Sequence, residues 1–186
     1  MRRLLLVRHA PTAATRAAAF PTDEPLDDGG RDAARGLTLP DGDVLCSPAL
    51  RCRETASTAG LDATVDPALA ECDFGSWCGR SLADVHASDP DAAASWMTDP
   101  DAAPHGGESL RAFAARVASW LDGQATLDGR ATAITHAGVV KAAVVHALGA
   151  PLEAFWRVDV APLGVTELHA HDGRWTVARV NAEASR

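Results

Sequence analysis

The sequence is short of positive charge. Its 186 residues include 17 Lys and Arg against 25 Asp and Glu, giving a formal net charge of −8 at pH 7. Proteins that bind duplex nucleic acid or anionic membranes need broad positive surfaces, so we expect neither as a partner. A small anionic ligand is not excluded, because its site needs only a few local cations. Lys141 is the single lysine, and we attribute the arginine bias mainly to composition.

Long apolar runs are also missing. No stretch approaches the ~18 apolar residues of a membrane-spanning helix. The first apolar run, 4–7, stops at Arg8, short of the roughly 7–15 residues of a secretory signal core, and no small-residue cleavage site follows. The sequence therefore predicts a cytoplasmic protein. Its length suits one compact domain over 1–186, and it leaves the oligomeric state open.

Patterns typical of metal sites are weak. The four cysteines fall in two pairs, 46 with 52 and 72 with 78, whereas zinc ligands are usually about two to four residues apart. We expect four buried or half-buried free thiols, since a cytosolic chain keeps thiols reduced. His169 and His171 share a strand face, but no third ligand pairs with them by spacing. We therefore expect surface histidines there, and no metal or cofactor.

Several common catalytic motifs are absent as well. The sequence has no phosphate-binding GxxxxGK[ST] loop, no zinc-binding HExxH and no GxSxG serine elbow. The pairs Gly29-Gly30 and Gly106-Gly107 do not follow strands as a dinucleotide-binding loop would. Any chemistry must come from another arrangement.

Predicted strands and helices alternate along the chain. Apolar runs at 3–8, 43–46 and 131–135 are typical of buried parallel strands. Helical patterns follow at 48–59, with Ser47 as the expected N-cap and Pro48 at the first helical position, and at 138–148, ended by Gly149. Segments 163–169 and 174–180, joined by Asp172-Gly173, predict a hairpin. We expect an α/β fold with a mostly parallel central sheet, helices on both faces and an antiparallel C-terminal hairpin.

A short insertion precedes one well-marked helix. In 109–121 the apolar residues recur with helical spacing, while Arg111 and Arg116 take the opposite face. The preceding tract is acidic and rich in alanine and proline, and we expect Asp-Pro at 89 and again at 99 to begin short helical turns. The sequence thus predicts a short cap or lid over about 80–108.

Histidine and arginine follow the predicted strands. Arg8 and His9 follow the first strand, His136 follows the third, and Arg51 comes shortly after the second. Ligands of open parallel sheets bind just beyond the carboxyl ends of strands, and the helix start at 137–139 adds N–H donors. These residues predict a cationic pocket for a tetrahedral oxyanion.

Five segments resemble, in the same order, the motifs of the histidine phosphatase superfamily, the phosphoglycerate-mutase-like group. They are LVRHAPT at 6–12, SPALRCRETA at 47–56, LAECDFGSWCG at 69–79, GGES at 106–109 and THAGVV at 135–140. Together they cover most of the chain. The resemblance implies this superfamily's fold and, given the chain's size, its small phosphatase branch.

The resemblance also implies roles for individual residues. His9 would be the nucleophile that forms a phosphohistidine, and Glu71 would protonate the leaving oxygen and then activate water. Arg8, Arg51 and His136 would bind the phosphoryl oxygens, where charge accumulates in the transition state. The implied enzyme is a metal-independent, acid-type histidine phosphatase that hydrolyses the phosphomonoester of a small metabolite.

The sequence departs from the usual motifs at three positions. Ala10 and Ala137 replace common glycines, and Thr15 stands where many members carry asparagine. None of these changes removes a required chemical group, and Thr15 is kept as a further candidate phosphate ligand. Exposed or structural roles are expected for three other charged residues beside the motifs: Arg53, Glu54 and Asp73.

Two alternatives to a phosphatase remain open. Mutases resembling this family carry a longer insertion that encloses a bisphosphate, whereas about thirty residues separate Gly75 from Gly107 here. A short, open cap admits water, so hydrolysis is the favoured outcome over a cofactor-dependent phosphoglycerate mutase. A non-catalytic phosphate-binding module is less favoured, because His9 and Glu71 are both present.

Overall fold

One mixed sheet organises the molecule. The computed structural model describes residues 1–184, whose strands lie in the order β3-β2-β4-β1-β5-β6. The neighbours from β3 to β1 pair in parallel, and β5 and β6 complete the sheet in antiparallel fashion. The strand bounds are β1 (Arg2–Arg8), β2 (Asp43–Cys46), β3 (Thr64–Val65), β4 (Gly129–Thr135), β5 (Val165–His171) and β6 (Arg174–Ala182). The predicted α/β fold and the C-terminal hairpin are confirmed.

Helices cover both faces of this sheet. Their bounds are α1 (Ala13–Arg16), α2 (Asp28–Arg35), α3 (Leu50–Thr58), α4 (Leu82–Ser88), α5 (Pro90–Thr98), α6 (Leu110–Ala125) and α7 (Ala137–Leu148). Single 3₁₀ turns lie at Pro67–Leu69 and Gly75–Trp77, and a longer 3₁₀ segment at Leu152–Arg157. Strand residues alternate between the two faces. Leu4 and Leu6 therefore pack in the core with α6 and α7, while Val7 and Ile134 pack on the other face with Cys52 of α3.

The register of β1 and β4 brings the two candidate histidines together. Arg8 is paired with Thr135 at the carboxyl ends of these strands, and the His9 amide donates to the Thr135 carbonyl at 2.8 Å. The Ser47 amide, just after β2, donates to the Ile134 carbonyl at 2.9 Å. Three chain segments thus leave the sheet side by side at one edge.

The helix after β2 differs from its prediction. It begins at Leu50 with Ala49 as N-cap, and no side chain caps it, so Ser47 and Pro48 were assigned wrongly. The Ser47 hydroxyl lies 2.8 Å from His136 Nε2 and accepts from the Ala49 amide at 3.3 Å, one residue before the helix begins. The hydrophobic pattern of the sequence did not predict β3, because this strand has only two residues and both are exposed.

The insertion forms two short helices on an aromatic cluster. Asp89 caps α5 by accepting from the Ala92 amide at 3.0 Å, whereas Asp99 begins a turn only. Trp96 of α5 makes edge contacts with Phe20 and Trp77, at ring separations of 5.5 and 5.6 Å. Aromatic contacts therefore hold the insertion against the body of the domain.

Two further expectations concern cysteines and membrane helices. All four cysteines are free, but Cys78 is exposed, contrary to the prediction that all four would be at least half buried. Among residues 1–184 there is no helix with the length and apolar character needed to cross a membrane.

Candidate active site

All six candidate residues line one pocket. It encloses about 250 Å³ at the carboxyl edge of the sheet. Phe20, Leu82 and Trp96 form part of its outer wall, so both helices of the insertion border it. The candidate residues are Arg8, His9, Thr15, Arg51, Glu71 and His136.

His9 is held as a neutral imidazole whose Nε2 lone pair faces Arg51. Its Nδ1 lies 2.7 Å from the Ala10 carbonyl oxygen, which can only accept, so Nδ1 carries the proton. The opposite nitrogen, Nε2, accepts from Arg51 Nε at 3.3 Å. Burial is the main cause that lowers the pKa of His9 to about 3, and the Arg51 charge adds to it. The Nε2 lone pair is therefore available at neutral pH.

The second histidine is oriented from both sides. Arg51 Nη2 lies 3.1 Å from His136 Nδ1, and since a guanidinium can only donate, Nδ1 is the acceptor. Nε2 then carries the proton and donates to the Ser47 hydroxyl at 2.8 Å. Burial lowers the pKa of His136 well below its ordinary range, with a further contribution from Arg51. His136 is therefore also neutral.

Two guanidinium groups supply positive charge that is independent of pH near neutrality. Arg51 is buried and donates from Nη1 to the Thr22 carbonyl at 2.9 Å, with Glu24 Oε2 at 3.8 Å. Arg8 donates from Nη1 to the Val160 carbonyl at 2.6 Å, while its buried Nε has no partner within residues 1–184. Buried donors without partners are costly, so this edge favours an oxyanion.

Glu71 presents a carboxyl group with a raised proton affinity. Its Oε1 accepts from the Cys72 amide at 3.0 Å and its Oε2 from the Gly138 amide at 3.2 Å. Burial raises the pKa of Glu71, although these amides and the two arginines act in the opposite direction. A carboxyl group that is readily protonated suits general acid chemistry.

The remaining candidates have mainly structural contacts. The Thr15 hydroxyl lies 3.0 Å from that of Thr12, with which it caps α1, so its oxygen is already engaged although the residue lines the pocket. Glu54 accepts from the Leu26 amide, Asp73 accepts from the Gly75 amide, and Arg53 is exposed. The structural or exposed roles expected for these three are confirmed.

Comparison with known proteins decides the family. The sequence profile of the histidine phosphatase superfamily (branch 1) matches residues 4–183, nearly the whole chain. The chain belongs to the histidine phosphatase superfamily.

The named relatives of this chain include two phosphatases. A glucosyl-3-phosphoglycerate phosphatase of Mycolicibacterium vanbaalenii is 30% identical over 173 residues, covering 82% of this chain and 77% of the relative. The structure also superposes on the crystal structure of the alpha-ribazole phosphatase from Shigella flexneri with a TM-score of 0.84 and 25% sequence identity. The superposition covers 99% of each chain. A bifunctional protein of Mycobacterium tuberculosis is 34% identical over 146 residues, 74% of this chain. That alignment spans 40% of the mycobacterial protein.

The sequence did not indicate three residues that shape this pocket. Ser47 orients His136, and Glu24 lies beside Arg51. Arg116 of α6, expected on the face opposite the apolar stripe, donates to the Ala68 and Ala70 carbonyls at 2.9 and 3.0 Å and so anchors the segment that leads to Glu71. Nothing in the local sequence distinguishes Arg116 from the other arginines, because its partners are distant backbone atoms.

The two C-terminal histidines lie away from this pocket. His169 donates from Nε2 to Glu167 Oε1 at 2.6 Å, and His171 is exposed beside Asp172. Residues 1–184 contain no cluster of three or more His, Cys, Asp or Glu side chains arranged to hold a metal ion.

Proposed function

We propose that this histidine phosphatase hydrolyses phosphomonoesters of small metabolites through a phosphohistidine on His9. The observation that carries the proposal is the orientation of His9: Nδ1 is fixed on a carbonyl, and the Nε2 lone pair lies beside the guanidinium of Arg51. A neutral nitrogen nucleophile beside fixed cations is what attack on a phosphate dianion requires.

In the first step, Nε2 of His9 attacks phosphorus in line with the ester oxygen. The N–P bond forms as the P–O bond to the alcohol breaks, and the Glu71 carboxyl group gives its proton to the departing oxygen. The imidazole becomes positively charged, which strengthens its Nδ1–H bond to the Ala10 carbonyl. Arg8 and Arg51 balance the charge on the non-bridging oxygens.

In the second step, the same groups act in reverse. The Glu71 carboxylate takes a proton from a water molecule, whose oxygen attacks phosphorus as the N–P bond breaks. The electron pair returns to Nε2, so His9 is neutral again and inorganic phosphate leaves. No metal ion takes part in either step, because the arginines provide the positive charge.

The proposal includes an acid-type enzyme at a cytoplasmic location and a small phosphorylated substrate. The two phosphatases described above are named for glucosyl-3-phosphoglycerate and for alpha-ribazole phosphate. Both of these compounds are small-molecule phosphomonoesters. Hydrolysis is favoured over mutase chemistry because the insertion consists of two short helices, and a short cap admits water to the pocket.

The test is hydrolysis of 4-nitrophenyl phosphate in excess chelator. Wild-type protein should turn over, and His9→Ala should lose at least about 10³-fold in kcat. His86→Ala, which removes an exposed histidine on α4, is the matched control and should keep full activity. Acid-labile label from [³²P]phosphomonoester should appear on wild-type protein only. Absence of turnover from acidic to neutral pH would refute the proposal, and loss of activity with chelator would refute its metal independence.

A second experiment separates hydrolysis from transfer. 3-Phosphoglycerate is supplied with and without 2,3-bisphosphoglycerate, and both isomers and free phosphate are measured. The proposal expects phosphate release that does not depend on the bisphosphate. Efficient formation of the 2-isomer would identify a mutase instead, and phosphate binding without either reaction would identify a binding module.

A further inference from the structure

A second pocket opens on the far side of Glu71. It encloses about 160 Å³ and shares Glu71, Phe74 and Trp96 with the phosphate pocket. Its other walls are mostly apolar and come from α6, α7 and the 3₁₀ segment at Leu152–Arg157. These side chains are Leu110, Phe113, Phe155 and Trp156. The shared wall makes the second pocket an extension of the first.

The chain's single lysine lies in this second pocket. The Lys141 ammonium is 5.4 Å from the centre of the Phe155 ring, and within residues 1–184 it makes no hydrogen bond or ion pair. Burial lowers the pKa of Lys141, while the charges of Asp159 and Glu71 act in the opposite direction. A half-buried cation that lacks a direct partner gains from an anion that enters the pocket.

The position of Lys141 relates it to the leaving group. Gly138, whose amide binds Glu71, and Lys141 are three residues apart, so they share one face of α7. General acid catalysis requires the departing oxygen to lie within hydrogen-bond reach of Glu71. The alcohol attached to that oxygen then has the second pocket next to it, with aromatic walls and one cation.

The composition of the pocket selects the chemistry of this alcohol. A second phosphate would call for several cations, as in the first pocket, whereas Lys141 is the one cation among the lining residues. A single ammonium in an apolar wall matches a carboxylate. The aromatic side chains match the apolar body of the same molecule, and a volume of about 160 Å³ admits little more than one ring or a short chain.

We infer that the alcohol portion of the substrate occupies this second pocket and that Lys141 selects alcohols bearing a carboxylate. The inference rests on the proposed phosphatase function, in particular on Glu71 as the acid. Lys141 binds the substrate in this scheme and takes no part in the chemical steps.

The test compares three classes of aryl phosphate. Phenyl phosphate has no second charge, carboxyphenyl phosphates carry the anion at the ortho, meta or para position, and carbamoylphenyl phosphates are their neutral counterparts. We measure kcat/KM for wild type, Lys141→Met and Lys141→Arg. Taking the ratio of carboxy to carbamoyl ester, and comparing that ratio between enzymes, cancels the intrinsic reactivity of the esters.

Wild type should favour one carboxyphenyl isomer, and Lys141→Met should lower that ratio by about tenfold, the effect of roughly one partly buried ion pair. Phenyl phosphate should change by less than about twofold in the same variant, because methionine keeps the apolar stem. Lys141→Arg should retain the preference. Wild type without any carboxylate preference, or an equal loss on all esters in Lys141→Met, would overturn the inference.

Failure of this inference differs from failure of the proposed function. If wild type hydrolyses none of the esters, the phosphatase proposal fails and the inference fails with it. A second outcome is that wild type hydrolyses phenyl phosphate and shows the same carboxy-to-carbamoyl ratio of kcat/KM as Lys141→Met. In that case the phosphatase proposal stands and only the role of Lys141 is rejected. Should Lys141→Met not fold, Lys141→Gln, which also removes the charge, takes its place, and its carboxy-to-carbamoyl ratio decides the outcome.

Discussion

At the residue scale, burial in the pocket shifts the pKa values of His9 and Glu71 in opposite directions. Burial disfavours charge, so it lowers the pKa of the base His9 and raises that of the acid Glu71. Both groups are thereby biased toward their neutral forms. A neutral nucleophile and a protonated acid are the pair that the first step needs, and water would not provide them together at a mildly acidic pH.

The pKa directions predict the pH dependence of kcat/KM. His9 is neutral above its pKa of about 3, so activity rises as pH increases through that value. Glu71 acts while protonated, and since its pKa is raised above 4.5, activity persists past pH 4.5 and then falls as pH rises through the raised value. Glu71→Gln should lower kcat by about 10²–10⁴-fold and remove the alkaline limb. Glu153→Gln is the surface control and should leave the pH profile unchanged. An unchanged alkaline limb of the profile in Glu71→Gln would assign that limb to another group.

Gly138 is constrained by Glu71 rather than by backbone conformation. A Cβ atom at this position would lie 2.2 Å from Glu71 Oε1, so Gly138→Ala must displace the carboxyl group. We expect kcat to fall by at least about tenfold with the fold retained, because alanine is otherwise favourable in a helix.

Gly123→Ala is the matched control for this change, since nothing lies within 4 Å of its added Cβ in α6. It should keep full activity and raise the free energy of unfolding by about 0.5–1 kcal/mol. Thermal unfolding and kcat are measured for both variants. Full activity in Gly138→Ala would show that the position of the Glu71 carboxyl group is not critical.

At the element scale, strand pairing sets the distance between the reacting groups. The parallel register of β1 and β4 places His9 and His136 with ring centres 5.3 Å apart, and the chain after β2 brings Arg51 between them. The helix α7 begins directly after His136, and its first turn supplies the Gly138 amide to Glu71. Rigid elements thus bring into contact groups that lie 42 to 85 residues apart in sequence.

The insertion depends on helix caps as well as on aromatic packing. Removing the cap of α5 by Asp89→Ala should cost about 1 kcal/mol. For a chain of this size that lowers Tm by roughly 2–4 °C, provided α5 unfolds with the rest of the domain. Asp89→Asn keeps an accepting side-chain oxygen and should change Tm much less. Equal losses in the two variants would indicate that charge, rather than the cap, is responsible.

At the scale of the whole molecule, a net charge of −8 coexists with a cationic pocket. Arg8 and Arg51 are held near each other, and each guanidinium is turned toward backbone carbonyls. Coulomb interactions depend on local distance, so the net charge says little about one site. An oxyanion in the pocket should therefore stabilise the folded state of the whole chain.

Inorganic phosphate should raise Tm through this pocket. At 100 times its Kd, a ligand that binds the native state alone contributes about 2.7 kcal/mol, which is roughly 5–11 °C for a domain of this size. Arg51→Ala should abolish most of the shift, while Arg111→Ala, which removes an exposed arginine paired with Asp101, should keep it. Equal shifts in both variants would mean that phosphate acts as a general stabilising salt.

Much of the site could be predicted because its signals are local. The strand-end positions of His9 and His136 follow from apolar runs of the right length, and the five ordered segments identified the superfamily. Ser47 was misassigned because a serine before a proline has the pattern of a helix cap, and tertiary contact with His136 prevailed over that pattern. The partners of Arg116 lie far away in sequence, so no local pattern could reveal them.

The sequence by itself determined the α/β class, the superfamily and six candidate residues that the structure brings to one pocket, since short-range periodicity and fixed motifs encode them. Tertiary structure alone decided the directions in which the pKa values of His9 and Glu71 shift, the orientation of His136 by Ser47, and the second pocket with Lys141. These properties depend on burial and on contacts between distant segments. They exist only once the sheet has brought the segments together.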